Sequence, residues 1–127
     1  MLKELSDVPQ VPGEPRRRWF TSRGLDLIVW YGPESEPVGF RLCYREGARE
    51  HAFTWTEDRG FEHHGVDDGE ARVEKHKMSP TLVTDGLFDR ENLLFLFQGE
   101  SQLIDPSVAA LVEEKIRAYD PAAVRSR

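Results

Sequence analysis

Val38-Gly39-Phe40-Arg41-Leu42-Cys43-Tyr44-Arg45 decides the fold. Val38, Phe40, Leu42 and Tyr44 fall on one side of an extended chain, and Gly39, Arg41, Cys43 and Arg45 on the other. That alternation, with large apolar side chains on one side only, predicts a strand with one buried face. Glu46-Gly47 marks a turn, and on the return His51, Phe53 and Trp55 share one face while Ala52 and Thr54 share the other. Upstream, Leu25, Leu27, Val29 and Tyr31 alternate with Asp26, Ile28 and Trp30, and a Gly/Pro-rich loop over 32–37 follows. Arg18-Trp19-Phe20-Thr21-Ser22 precedes them, ending at the Arg23-Gly24 turn signal. Connections this short suit an antiparallel meander, because parallel strands need long crossovers. Further strands are expected over 60–66 and 71–83, the second interrupted near Ser79-Pro80, where proline removes a ladder donor.

After Asp85-Gly86 the period changes. Asp89 is a candidate cap for a helix with Leu93, Leu94, Phe97 and Ser101 on one face, although Leu93 to Phe97 alone also reads as a buried strand. The last element is the clearest. Asp105 suits an N-cap, and Pro106 suits the first helical position, where a missing N–H does no harm. Val108, Leu111, Val112, Ile116 and Tyr119 recur at helical spacing, Glu113 and Arg117 form an i,i+4 pair, and Pro121 stops the helix.

The expected fold class is α+β: an antiparallel meander sheet of about five or six strands over 16–83, with one or two C-terminal helices packed on one face. Leu27, Val29, Phe40, Leu42, Phe53, Leu111, Val112 and Ile116 should be buried. Residues 1–15, with Pro9, Pro12 and Pro15, read as an extended arm, 16–121 as one domain and 122–127 as a tail. A chain of 127 residues and 14.6 kDa suits a single domain of this kind. No apolar run is long enough to cross a bilayer, no signal-like segment opens the chain, and one cysteine rules out an internal disulfide, so a cytoplasmic protein is expected.

The formal charge is −6, and all of the excess acid lies in residues 51–104, with 5 basic and 11 acidic residues. That balance disfavours nucleic acid and suits a protein partner with a basic surface; self-association is left open. Arg17-Arg18-Trp19-Phe20, Asp26-Leu27-Ile28-Val29-Trp30, Gly39-Phe40-Arg41-Leu42-Cys43-Tyr44 and Asp85-Gly86-Leu87-Phe88-Asp89 resemble a family of small bacterial proteins of unassigned function. The resemblance covers most of the chain after the arm. It implies a compact bacterial cytoplasmic domain and carries over no activity and no site residue.

Four groups of residues are candidates for chemistry. Arg16, Arg17 and Arg18, beside Trp19 and Phe20, suit an anion or base, or else cover a sheet edge and pair with the acidic middle. Asp67, Asp68 and Glu70 belong with them as binding candidates, on an acidic hairpin. His63, His64, His76 and Asp67 have the donors for a transition metal such as Zn, yet adjacent strand residues face opposite ways, so only one of His63 and His64 can meet His76. Cys43, flanked on its face by Arg41 and Arg45, reads as a small half-buried hydrophobe. The tryptophans, with Tyr31, Tyr44, Phe40 and Phe53, furnish a core or line a pocket between sheet and helices. No nucleophile elbow or phosphate loop is present, and no catalytic residue is assigned. The expected function is a small non-enzymatic binding or regulatory module with an acidic surface. The alternative is a small enzyme or metal-binding protein using the His/Asp cluster around 63–76.

Overall fold

The computed structural model describes residues 1–46, 49–66 and 88–120. Among them lie six strands and two helices: β1 (Lys3–Glu4), β2 (Arg16–Thr21), β3 (Leu25–Tyr31), β4 (Pro37–Glu46), β5 (Arg49–Thr56), β6 (Gly60–Val66), α1 (Arg90–Glu100) and α2 (Pro106–Ala118). The strands form one antiparallel meander in the order β1 to β6. The fold is therefore the α+β arrangement that strand alternation and C-terminal helical spacing imply. The strand expected over 71–83 lies outside the described residues.

Register places the alternating apolar set on the helix side. Phe20, Leu27, Leu42 and Phe53 face one another across β2 to β5, and Val29 opposes Phe40. These join Leu93, Phe97, Val108, Val112 and Ile116 from the helices in one core. Each large side chain closed off there contributes about 1.5–3 kcal/mol relative to an exposed one. Leu111, expected in this core, is only half-buried: the stripe Val108, Val112, Ile116 faces the sheet, and Leu111 falls on its margin.

Both helices begin as their sequences suggest. The Asp89 carboxylate accepts from Asn92 N, and that of Asp105 accepts from Ser107 N, meeting N–H groups that a helix cannot satisfy internally. Arg90 donates from Nε to Ile116 O and from Nη2 to Tyr119 O, so the start of α1 caps the end of α2. Residues 93–97 are helical, not a strand, and Gly99 is tolerated in the last turn.

The proline arm lies on the body. Leu2 is fully buried in the core, Lys3–Glu4 pair with Thr21 and Phe20, and Leu5 N donates to Trp19 O. Further on, the Gln10 side-chain amide donates to Arg17 O and accepts from Arg17 N, so it stands in for a strand residue on the β2 edge.

Candidate functional site

The three arginines do not form one patch. Consecutive strand residues point to opposite faces, so Arg16 and Arg18 lie on the helix side and Arg17 on the other. Arg18 holds Glu4 through Nε and Nη2 at 2.8 and 2.7 Å, and through Nη1 reaches Tyr31 Oη at 3.2 Å and Asp105 Oδ2 at 3.3 Å. Its acidic partners come from the arm and from the cap of α2, not from the acidic middle of the chain. Hydrogen bonding to Arg18 lowers the Glu4 pKa; the Ser107 backbone and side chain, then Arg18, lower that of Asp105. Arg16 lies over Tyr31, and Arg17 Nε donates to Pro9 O. This is an internal latch joining arm, sheet and helix.

The histidines separate as strand geometry requires. His63 is buried on the helix side and His64 is half-buried on the outer side. His63 meets His51, a residue that the sequence places only on the core face. The β5–β6 register sets Phe53 opposite His63 and Gly65 opposite His51, so the two histidines are diagonal neighbours. Their rings stack at 5.5 Å, Tyr44 stacks on His51 at 5.3 Å, and Tyr44 Oη lies 2.7 Å from His63 Nε2. Phe88 and Tyr119 close over His63. The pair suits proton exchange between hydroxyl and imidazole, in a setting closed to water. His76, Asp67, Asp68 and Glu70 lie outside the described residues, and among the described residues no three His, Cys, Asp or Glu groups gather as a metal site.

The other face of the sheet carries an open groove of about 330 Å³ that sequence reasoning did not foresee as a site. Two overlapping depressions share Pro15, Trp30, Thr56 and Asp58; one extends to Arg41, Thr54 and Glu62, the other to Val38 and Glu57. Cross-strand rows explain it. Trp30 faces Gly39, Gly39 faces Thr56, and Thr56 faces Gly60, so the row has a ring at one side and no side chain at two positions. Trp30 lies over Gly39: a β-carbon built on Gly39 would stand 3.2 Å from Trp30 Cε3 and 2.8 Å from Thr56 Cγ2. Two residues down the strands, the next row is Ile28, Arg41, Thr54 and Glu62.

Two groups in that row lack partners. Arg41 is exposed and, among the described residues, makes no hydrogen bond or ion pair. Thr54 is 8% exposed, and its hydroxyl is closed to water without a hydrogen bond. A buried hydroxyl left unpaired costs about 1–3 kcal/mol, so it marks a place where a partner is missing. Cys43 stands one step further along this face, half-buried; burial pushes its thiol pKa up, with Arg41 opposing. It is therefore held as the poorly nucleophilic thiol at neutral pH.

The signal for the groove was in the sequence as the pair Trp30 and Gly39 on the face opposite the core, but a half-apolar outer face reads equally as a covered one. No family model, curated protein or solved structure matches the chain. No described helix is long and apolar enough to cross a membrane.

Proposed function

We propose that the chain is a small non-enzymatic binding module of the cytoplasm and that the outer face of its sheet receives a basic segment of a protein partner. The observation that carries this reading is the groove itself: an aromatic floor outside the core, rimmed by Glu57 and Asp58 with Glu62 alongside. Glu34 and Glu36, on the β3–β4 loop, stand exposed at the same end of the sheet. Carboxylates beside an open tryptophan face suit a lysine or arginine side chain, which is attracted both by charge and by the ring. The helix face is filled with core, and Arg17 and Arg18 are held by the arm, so neither competes as a docking surface.

The test is an NMR titration of isotopically labelled protein with a ten-residue lysine-rich peptide and with its glutamate-rich counterpart. The basic peptide should shift Trp30, Thr56 and Asp58 saturably and more weakly at 200 than at 50 mM salt, roughly as exposed charge pairs are screened. No saturable shift from the basic peptide on this face, or an equal or stronger response to the acidic one, would refute the reading. A proton-transferring enzyme is the second reading, favoured by the 2.7 Å contact between Tyr44 and His63. Ligand-induced shifts confined to Tyr44, His51 and His63 would point to it.

A further inference from the structure

We infer that Arg41 and Thr54 form a carboxylate subsite within the groove, taking an acidic side chain or C-terminal carboxylate of the docked segment while the apolar stem of that group lies on Trp30. The inference rests on the binding-module reading and adds the chemistry of the floor to that of the rim.

Four observations converge. Arg41 and Thr54 are direct cross-strand partners on β4 and β5, so their β-carbons stand about 4.5–5.5 Å apart. Both line the groove. The guanidinium is free of ion pairs and hydrogen bonds among the described residues, and the hydroxyl beside it is unpartnered in a side chain more than nine-tenths buried. Both are donors, and a carboxylate, with two oxygens, accepts from both at once when the Thr54 side chain turns its enclosed hydroxyl to the groove. An arginine also meets a carboxylate in a two-pronged geometry that no backbone carbonyl reproduces. A neutral amide could satisfy the hydroxyl but would leave the guanidinium charge unmatched.

Placement decides where each charge of the partner goes. Arg41–Thr54 lies two residues along the strands from Gly39–Thr56, about 7 Å toward the middle of the sheet. Glu57 and Asp58 lie beyond Thr56 on the turn. Arg59 lines the groove from that same turn, so the rim carries both signs, and Arg41 is the cation of the inner row, with Trp30 between. Glu62 stands on the far side of Thr54 in the same row, and its charge opposes the incoming carboxylate, so Arg41 must outweigh it. The fitting occupant is a short extended segment with a basic residue about two positions from a carboxylate, separated by an apolar stem over the ring.

The experiment compares three probes by calorimetry and NMR: a short lysine-containing peptide with a free C-terminal carboxylate, the same peptide as its amide, and the amide with one internal glutamate. The wild type should prefer one of the two carboxylate probes over the plain amide by about tenfold or more, the usual net contribution of a hydrogen bond to a charged group. Which of the two wins tells a chain terminus from an acidic side chain. R41Q should abolish that preference, read as the ratio of carboxylate to amide affinity in the same variant, R41K should keep part of it, and T54V should reduce it several-fold where T54S does not. Thermal unfolding of T54V is the control for sheet integrity. Equal binding of carboxylate and amide probes on the groove would overturn the subsite and leave the docking surface standing. Groove binding by none of the three would overturn both. An undiminished preference in R41Q would assign the carboxylate to another group and overturn the proposal.

Discussion

Replacing Gly39 by alanine tests whether the floor of the groove is built as described. An alanine β-carbon would lie 2.8 Å from Thr56 Cγ2, 2.9 Å from Trp55 O and 3.2 Å from Trp30 Cε3. Ordinary contacts between such atoms are near 3.5–4.0 Å, so all three are repulsive. The threonine methyl and the indole have some room to turn. The Trp55 carbonyl belongs to the β5 backbone, and moving it means moving a strand with a core face. Overpacking of this kind costs about 1–3 kcal/mol. Against it stands the entropy gained by replacing glycine in the unfolded chain, about 0.4–1 kcal/mol. The clash wins, and G39A should be less stable by about 1–2 kcal/mol, lowering the urea midpoint by about 0.5–1 M at unchanged slope. The assay is urea unfolding at 25 °C followed by tryptophan fluorescence, with the Trp30 indole N–H watched by NMR. Because Trp30 makes the mildest of the three contacts, W30A should rescue little of the loss. A G39A protein as stable as wild type, or one fully rescued by W30A, would refute the placement of Trp30 and of the β4–β5 backbone beneath it.

The latch at Arg18 makes acid stability a second readout. Glu4 and Asp105 have lowered pKa values, so the stability they add is present above their ordinary carboxylate range and lost as pH falls through the lowered ones. R18Q should therefore cost about 1 kcal/mol near pH 7 and flatten the decline in stability between about pH 5 and 3, measured by urea midpoints across pH. Ile116→Ala should cost about 2–5 kcal/mol, and Leu111→Ala distinctly less, because only Ile116 is fully buried; equal losses by denaturation would show that α2 is rotated from its described face. Tyr44→Phe removes the hydroxyl from His63 Nε2 and should lose about 1–3 kcal/mol, read by the same unfolding assay. Cys43 should react with iodoacetamide at pH 7.5 many times more slowly than free cysteine, and mass spectrometry that finds parity would contradict its burial.

Much of the fold was legible because strand and helix periods differ so plainly here. Leu25, Leu27, Val29 and Tyr31 alternate without exception, and all four are buried. Asp105-Pro106 announces α2 to the residue. What stayed hidden was non-local. Leu2 carries no periodic neighbours, so its burial follows only from where the arm lands. Leu111 fits the helical spacing as well as Val108 does, and only docking angle distinguishes them. At the site level, alternation separated His63 from His64, but the meeting of His51 with His63 depends on the length of the β5–β6 turn, and a single-residue slip would send His63 to the other face. The groove was hidden for a different reason. It is made by what two glycines leave out, and an absence has no period. Arg41 and Thr54 become notable only once register makes them neighbours and burial shows that neither has been answered.

The arm also sets an order of events in the molecule. Leu2 N donates to Glu100 O, and Arg18 bridges Glu4 to Asp105, so the first residues are held by groups at the end of α1 and the start of α2. Those acceptors do not exist until both helices have docked on the meander. The hairpins, whose contacts are local, can form early, while the arm must wait for partners nearly the whole chain away. It is therefore the last piece to close and the first to open, a clasp whose release frees β1 without unravelling β3 to β5. Each opening bares the outer edge of β2, with its Trp19 carbonyl and Arg17 amide unpaired, and an edge of that kind invites a strand from another chain. Protection from amide exchange at Leu2 and Arg17 would then report how often the clasp opens, at a free energy well below that of global unfolding.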